Sequence, residues 1–149
     1  MKSIFDTSAC QLILERMDKL HPNLPAQWGK MNVPQMLAHC QAPIQVGLGE
    51  KKIQQSVVGF LFGRIAKKQL LKDAPFKKNL PTDPSFIIKD ERRFDHEKQS
   101  LQLLIQRFAI TDQARLARMK HPFFGYMTAE EWGRLVWKHL DHHLLQFGV

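Results

Sequence analysis

Apolar residues recur at helical spacing in four stretches of the chain, and almost no stretch alternates as a half-buried strand does. The first predicted helix is capped by Asp6 or Thr7 and ends at His21-Pro22, because proline cannot continue a helix. The second predicted helix is capped by Asn32 and frays near Gly47 and Gly49. The apolar positions of these two helices are Cys10, Ile13, Met17, Leu20, Val33, Met36, Leu37, Cys40 and Ile44.

Two longer helices are predicted in the second half of the chain. One starts near Asp90 and keeps its apolar residues to one stripe, which indicates a helix with one buried face. The other runs from about Ala129 to Phe147 and begins with the capping-box pattern Thr128-x-x-Glu131. The apolar stripe of the earlier helix consists of Phe94, Leu101, Leu104, Ile105 and Phe108.

The connections between these helices are long. Residues 53–72 are predicted to be helical but broken by Gly59 and Gly63, and the proline-rich residues 73–84 are predicted to form a surface loop. This pattern predicts a single all-α domain over residues 1–149: a four-helix bundle with long connections and an extra short helical segment. The alternative is an irregular helical array in which residues 53–72 pack outside the bundle.

Composition and charge narrow the class of protein. Hydrophobic residues make up 44% of the chain and charged residues 24%, as in a folded protein. The formal net charge of +8 favours acidic ligands in general. Two cysteines, Cys10 and Cys40, are too few for a disulfide framework. The first twenty residues lack a signal-peptide pattern, and the longest apolar run, VVGFLFGRIA, is about half the length of a membrane span. We therefore expect a cytoplasmic protein with no membrane association.

Histidines are concentrated on the last predicted helix, in the stretch WKHLDHHLLQFGV. Positions four apart on a helix lie about 40° from each other, so His139 and His143 share the inward face with Trp132 and Val136. His142 lies on the rim of that face. The residues expected to point away from it are Arg134, Trp137, Lys138, Asp141 and Leu144.

Buried imidazoles need partners, because each unsatisfied polar group costs about 1–3 kcal/mol. Histidines at positions i and i+4 present two nitrogens to one metal ion, but the same pair could instead bond to backbone, water or carboxylates. His39 on the second helix is a candidate third ligand. It flanks the apolar stripe of its helix, which is compatible with a polar pocket between helices and equally with a half-exposed surface position.

Two stretches of the chain together resemble the DinB-like (YfiT-like) superfamily of metal-dependent proteins, in a branch known as a domain of unknown function. They are residues 28–40, which end in NVPQMLAHC, and residues 121–147, which end in HLDHHLLQF. The resemblance implies a four-helix bundle with a metal centre formed by His39, His139 and His143. Gln146 matches a glutamine that the family often has three places after the final ligand.

A three-histidine site of this kind suits zinc, nickel, cobalt or ferrous iron, and we expect zinc or nickel. It leaves a coordination position for water or a substrate. Members of the superfamily with assigned activities bind a low-molecular-weight thiol as thiolate for S-transfer. The resemblance therefore implies a metal-dependent transferase or hydrolase acting on a small molecule such as a thiol. His142, His121 and Gln146 are candidate supporting groups, and His96 is expected to be solvated.

A second hypothesis is a non-catalytic binding module for acidic partners, with structural histidines. It depends on the basic stretch GRIAKKQLLK, which could bind nucleic acid or an anionic surface. The single tyrosine and the scattered basic residues argue against a nucleic-acid reader. Trp137 and Leu144, if they face outward, would support a homodimer. Cys40 is expected to pack in the core rather than act as a nucleophile.

Overall fold

The computed structural model describes residues 2–53, 67–68, 72–80 and 82–149, and these residues form a mainly helical structure. The predicted helical class is confirmed, with one addition, a two-stranded antiparallel sheet within residues 120–126. The elements are α1 (Thr7–Asp18), α2 (Val33–Leu48), a 3-10 turn (Pro84–Phe86), α3 (Phe94–Ala109), α4 (Gln113–Ala117), β1 (Lys120–His121), β2 (Gly125–Tyr126) and α5 (Ala129–Gln146).

Capping boxes begin the two helices that carry the candidate ligands. The Asn32 side chain accepts from the Gln35 backbone N–H at 3.0 Å, and the Gln35 side chain accepts from the Asn32 backbone N–H at 3.1 Å. At the start of α5, Thr128 and Glu131 make the same reciprocal pair at 3.1 and 2.8 Å. Each box satisfies two N–H groups that a helix start leaves without partners, so α2 and α5 begin where their sequences predict.

The four longer helices pack around one apolar core. α2 contacts α3 and α5, and α1 contacts the same two helices from the other side. The predicted apolar stripes are buried, apart from Cys10 and Phe94, which are half-buried. α3 begins four residues later than its pattern predicts. The largest fully buried side chains are Trp132, Phe108, Ile4, Ile13, Met17, Met36, Leu37, Ile44, Leu101, Ile105, Leu116 and Leu144.

Of the two glycines predicted to end α2, Gly49 does so, in the left-handed conformation (φ 76°), whereas the helix continues through Gly47 to Leu48. A Cβ atom on Gly47 would lie 2.7 Å from the Phe108 ring and 3.3 Å from the Trp132 ring. The glycine therefore lets α2 pack closely against both α3 and α5.

The prediction that Lys138, Trp137 and Leu144 point away from the protein is wrong. Lys138 is buried, because the segment around Phe76 covers it; its Nζ donates to the Lys72 carbonyl at 2.7 Å. Trp137 is half-buried and its Nε1 donates to the Ala9 carbonyl on α1, while Leu144 is fully buried. The homodimer stays a prediction, without support from these two side chains.

The connections are described only in part. The predicted broken helix over residues 53–72 lies largely outside the described residues. In the predicted loop, the described residues before Pro84 contain only bends and turns. No helix in the described part of the chain has the length and apolar character needed to cross a membrane.

Candidate metal centre

His39 lies in the middle of α2 and is buried. Its helical wheel allows either a pocket between helices or a half-exposed surface position, and the structure has the interior one. Its Nδ1 lies 2.9 Å from the Phe86 carbonyl oxygen. Because a carbonyl only accepts, Nδ1 carries the proton and Nε2 carries the lone pair. Four residues on, Pro43 has no N–H to offer the His39 carbonyl, so the regular hydrogen-bond ladder of α2 is interrupted at this histidine.

The two histidines of α5 face His39 across the interface between the helices. His39 Nε2 lies 3.2 Å from His139 Nε2, and the His39 and His143 ring centres are 4.7 Å apart. Each of the three side chains offers a nitrogen that lies within 4.8 Å of the other two. His39 and His143 are buried and His139 is half-buried. The structure thus brings the three predicted ligands close enough together to hold one metal ion.

Gln146 fixes the ring of His143. Its Oε1 lies 2.8 Å from His143 Nδ1, and its Nε2 donates to the Trp28 carbonyl at 2.7 Å. The amide nitrogen is committed to a carbonyl, so the amide oxygen accepts and His143 Nδ1 carries the proton. The Nε2 lone pair of His143 is then available, as it is on His39. Histidines that bind metals commonly donate their second N–H to a carbonyl or carboxylate in this way.

Burial keeps all three imidazoles neutral near pH 7. It lowers the pKa of His143 to about 3, with His39 as a second cause. It also lowers the pKa of His39, and it holds the pKa of His139 well below its ordinary value, where the neighbouring histidines add to the effect. A neutral imidazole is the form that binds a metal, so the electrostatics of the cluster suit ligation.

His142 forms the rim of the cluster, as predicted from the wheel. Its half-buried ring lies 5.2 Å from the ring of His143, 5.5 Å from that of Trp28 and 5.8 Å from that of Phe76, measured between centres. Burial lowers its pKa, and the charge of Asp141 opposes that shift.

His121 has its own surroundings. Its Nδ1 accepts from the backbone N–H groups of Phe123 and Phe124 at 3.1 and 3.2 Å, and burial lowers its pKa to about 4. Its ring packs on Phe124 and on Trp132, at 4.6 and 5.2 Å between centres. In the part of the chain that the structure describes, these are its ring contacts, and no ring of the cluster is among them.

Two other candidates lie where the sequence predicts. Cys40 is buried in the core beside Met36, and burial raises the pKa of its thiol, which makes it a poor nucleophile. His96 is exposed on α3, next to Glu97. Neither joins the histidine cluster.

Sequence reasoning missed the groups that hold the ligands in place. Phe86 and Trp28 take part through backbone carbonyls, which every residue has, so their types carry no signal for this role. The spacing between His143 and Gln146 was a usable signal, since a side chain three residues on lies on the same helical face.

The donor set fits a divalent transition metal. It consists of three neutral imidazoles, two of them with Nδ1 bonded to the protein and Nε2 left with a lone pair. Three protein ligands would leave a four-coordinate ion one further position for water or a small molecule.

Fold and site together define a mainly helical protein with three histidines that can hold a metal ion between two of its helices. The chain belongs to the family described as "Protein of unknown function (DUF1569)", whose profile matches residues 6–148. Comparisons with curated proteins and with solved structures found no significant match.

Proposed function

We propose that this protein is a cytoplasmic, DinB-like four-helix bundle that binds one divalent transition metal, zinc or nickel, through His39, His139 and His143. The closed arrangement of α1, α3, α2 and α5, in which each helix contacts two of the others, supports the bundle. The observation that carries the metal site is the cluster of three neutral imidazole nitrogens within 4.8 Å of one another, donated by two helices.

The function we propose is that of a metal-dependent enzyme acting on a small molecule, with a low-molecular-weight thiol as the first candidate. A bound divalent metal lowers the pKa of a coordinating thiol and so supplies a thiolate near neutral pH. The protein's own residues orient the ligand rings through Phe86 and Gln146. His142, with its ring between Trp28 and His143, is the candidate for moving a proton at the rim.

Metal content tests the site directly. We expect protein expressed with added zinc or nickel to retain about one ion per chain by elemental analysis. His39→Ala should weaken binding at least about 100-fold, since it removes one of three ligands. His96→Ala is the matched control, because it removes an exposed imidazole outside the cluster and should leave the affinity unchanged.

Equal metal affinity of wild type and His39→Ala would overturn the proposed site. Salt-sensitive binding to RNA or anionic vesicles that survives His39→Ala would instead favour the hypothesis of a binding module for acidic partners, which the charge of +8 makes worth testing.

A further inference from the structure

Two lysines lie against aromatic residues that contact His39 or His142. The Nζ of half-buried Lys51 lies 5.3 Å from the centre of the Phe86 ring and donates to the Ser85 carbonyl at 3.3 Å. The carbonyl of Phe86 is the acceptor for His39 Nδ1. The Phe86 ring itself lies 6.4 Å from the His39 ring, measured between centres, so it stands between the ammonium and a candidate ligand.

The second lysine, Lys78, lies against Trp28, whose ring borders the cluster at His142. Its Nζ lies 4.4 Å from the centre of the Trp28 ring, and that ring is 5.5 Å from His142. The Trp28 carbonyl in turn accepts from Gln146, which holds His143. Lys78 is itself exposed, so its ammonium is in contact with solvent beside the cluster.

Neither ammonium has a carboxylate partner among the residues that the structure describes. Within residues 2–53, 67–68, 72–80 and 82–149, no carboxylate forms an ion pair with Lys51 or Lys78. The carboxylate of Asp141, which acts on His142, is paired with Arg16 at 2.5 Å. The surroundings of the cluster therefore carry an uncompensated positive charge, and charges within about 8–10 Å act on a ligand in spite of salt.

We propose that the small molecule bound at the histidine cluster carries a carboxylate, and that Lys51 and Lys78 determine this specificity. The inference rests on the proposed function, because it assumes a ligand at the metal. It adds the chemical class of that ligand: an anionic molecule, selected by two lysines on the aromatic residues Phe86 and Trp28. An ammonium beside an aromatic ring is positioned by the cation–π contact and keeps its N–H donors for a carboxylate.

The test uses the full chain loaded with cobalt(II), whose charge-transfer absorbance reports a bound thiolate. The probes are two thiols of similar size, 3-mercaptopropionate and 3-mercaptopropan-1-ol, which differ in carrying a carboxylate or a neutral hydroxyl. We expect wild-type protein to bind the carboxylate at least about fivefold more tightly, with the preference shrinking as salt is added. In Lys51→Gln/Lys78→Gln the preference should fall to about one.

Lys2→Gln is the matched control, since Lys2 also lies on an aromatic ring, with its Nζ 5.1 Å from the centre of the Trp137 ring. It should keep the full preference. Equal binding of the two thiols by wild type, or a preference that survives in the double variant, overturns the inference while leaving the metal site intact. Failure of cobalt to bind, or of both thiols to change the spectrum, overturns the proposed function and this inference with it.

Discussion

Gln146 connects a candidate ligand to a distant loop. Its amide oxygen accepts from His143 and its amide nitrogen donates to the Trp28 carbonyl, 118 residues away in sequence. The two bonds together orient the amide, and the oriented amide fixes the tautomer of His143. Gly29 supports this contact, because a Cβ atom there would lie 2.6 Å from the Gln146 amide nitrogen.

Gln146→Leu should weaken metal binding about 10- to 100-fold, since His143 would lose the acceptor that orients its ring. It should also lower the free energy of unfolding by about 1–3 kcal/mol, because the Nδ1–H group of buried His143 loses its acceptor. Gln146→Glu keeps an oxygen for His143 Nδ1 and should hold the metal affinity within about tenfold of wild type. Competition titrations with a chelator measure both variants. The same loss of affinity in both would contradict this role.

At the scale of the elements, the site is positioned by the packing of α2 between α3 and α5. Helix starts are set by local capping, and this is why the beginnings of α2 and α5 could be predicted from Asn32 and Thr128. Close packing depends instead on residues distant in sequence. Gly47 reads locally as a helix breaker, but the rings of Phe108 and Trp132 require a residue without a side chain there.

Gly47→Ala distinguishes these two roles by the sign of its effect. Helix propensity alone would stabilise the protein by about 0.8–1 kcal/mol, whereas overpacking against Phe108 should destabilise it by about 1–3 kcal/mol. Overpacking should dominate, so we expect a net loss in the free energy of unfolding, measured by urea denaturation. Phe108→Leu supplies the control: combined with Gly47→Ala, it should cost less than the sum of the two single changes. Additive costs would argue against the close contact.

For the whole molecule, the histidine cluster was predictable and the surroundings that shape it were not. The helical wheel of the last helix placed His139 and His143 on one inward face. The resemblance to the DinB-like superfamily assigned His39, 100 residues before His139, as the third ligand. The burial of Lys138 could not be read from the wheel, because it depends on where the segment around Phe76 crosses α5. The short hairpin of β1 and β2 has two residues in each strand, too few for an alternating pattern to be visible.

Acid should destabilise the whole fold through His121. Its pKa is about 4 in the folded chain and about 6.5 when unfolded, so between these values the unfolded chain binds more protons. This contribution to stability is complete above pH 6.5 and is lost as the pH falls toward 4, by up to about 3 kcal/mol at about 1.4 kcal/mol per pKa unit.

His121→Asn should reduce the loss of folding stability as the pH falls from 6.5 toward 4, since asparagine does not titrate. Its side-chain oxygen can accept from the Phe123 and Phe124 N–H groups as Nδ1 does. Urea denaturation of metal-free wild type and variant between pH 4 and 7.5 measures the difference. His96→Asn, at an exposed histidine, should keep the wild-type slope. An unchanged slope in His121→Asn would contradict the assignment.

The distance in sequence between His39 and His139 also bears on how long the folded chain survives. Unfolding separates α2 from α5, and this also separates His39 from His139 and His143. An ion bound only by the folded chain therefore stabilises the native state. The gain is about 4 kcal/mol when the free ion is at a thousand times its dissociation constant. Folding need not be faster, since the ion gains its full set of donors only after the helices have docked. In a cell, the turnover of this protein would then follow the supply of the metal.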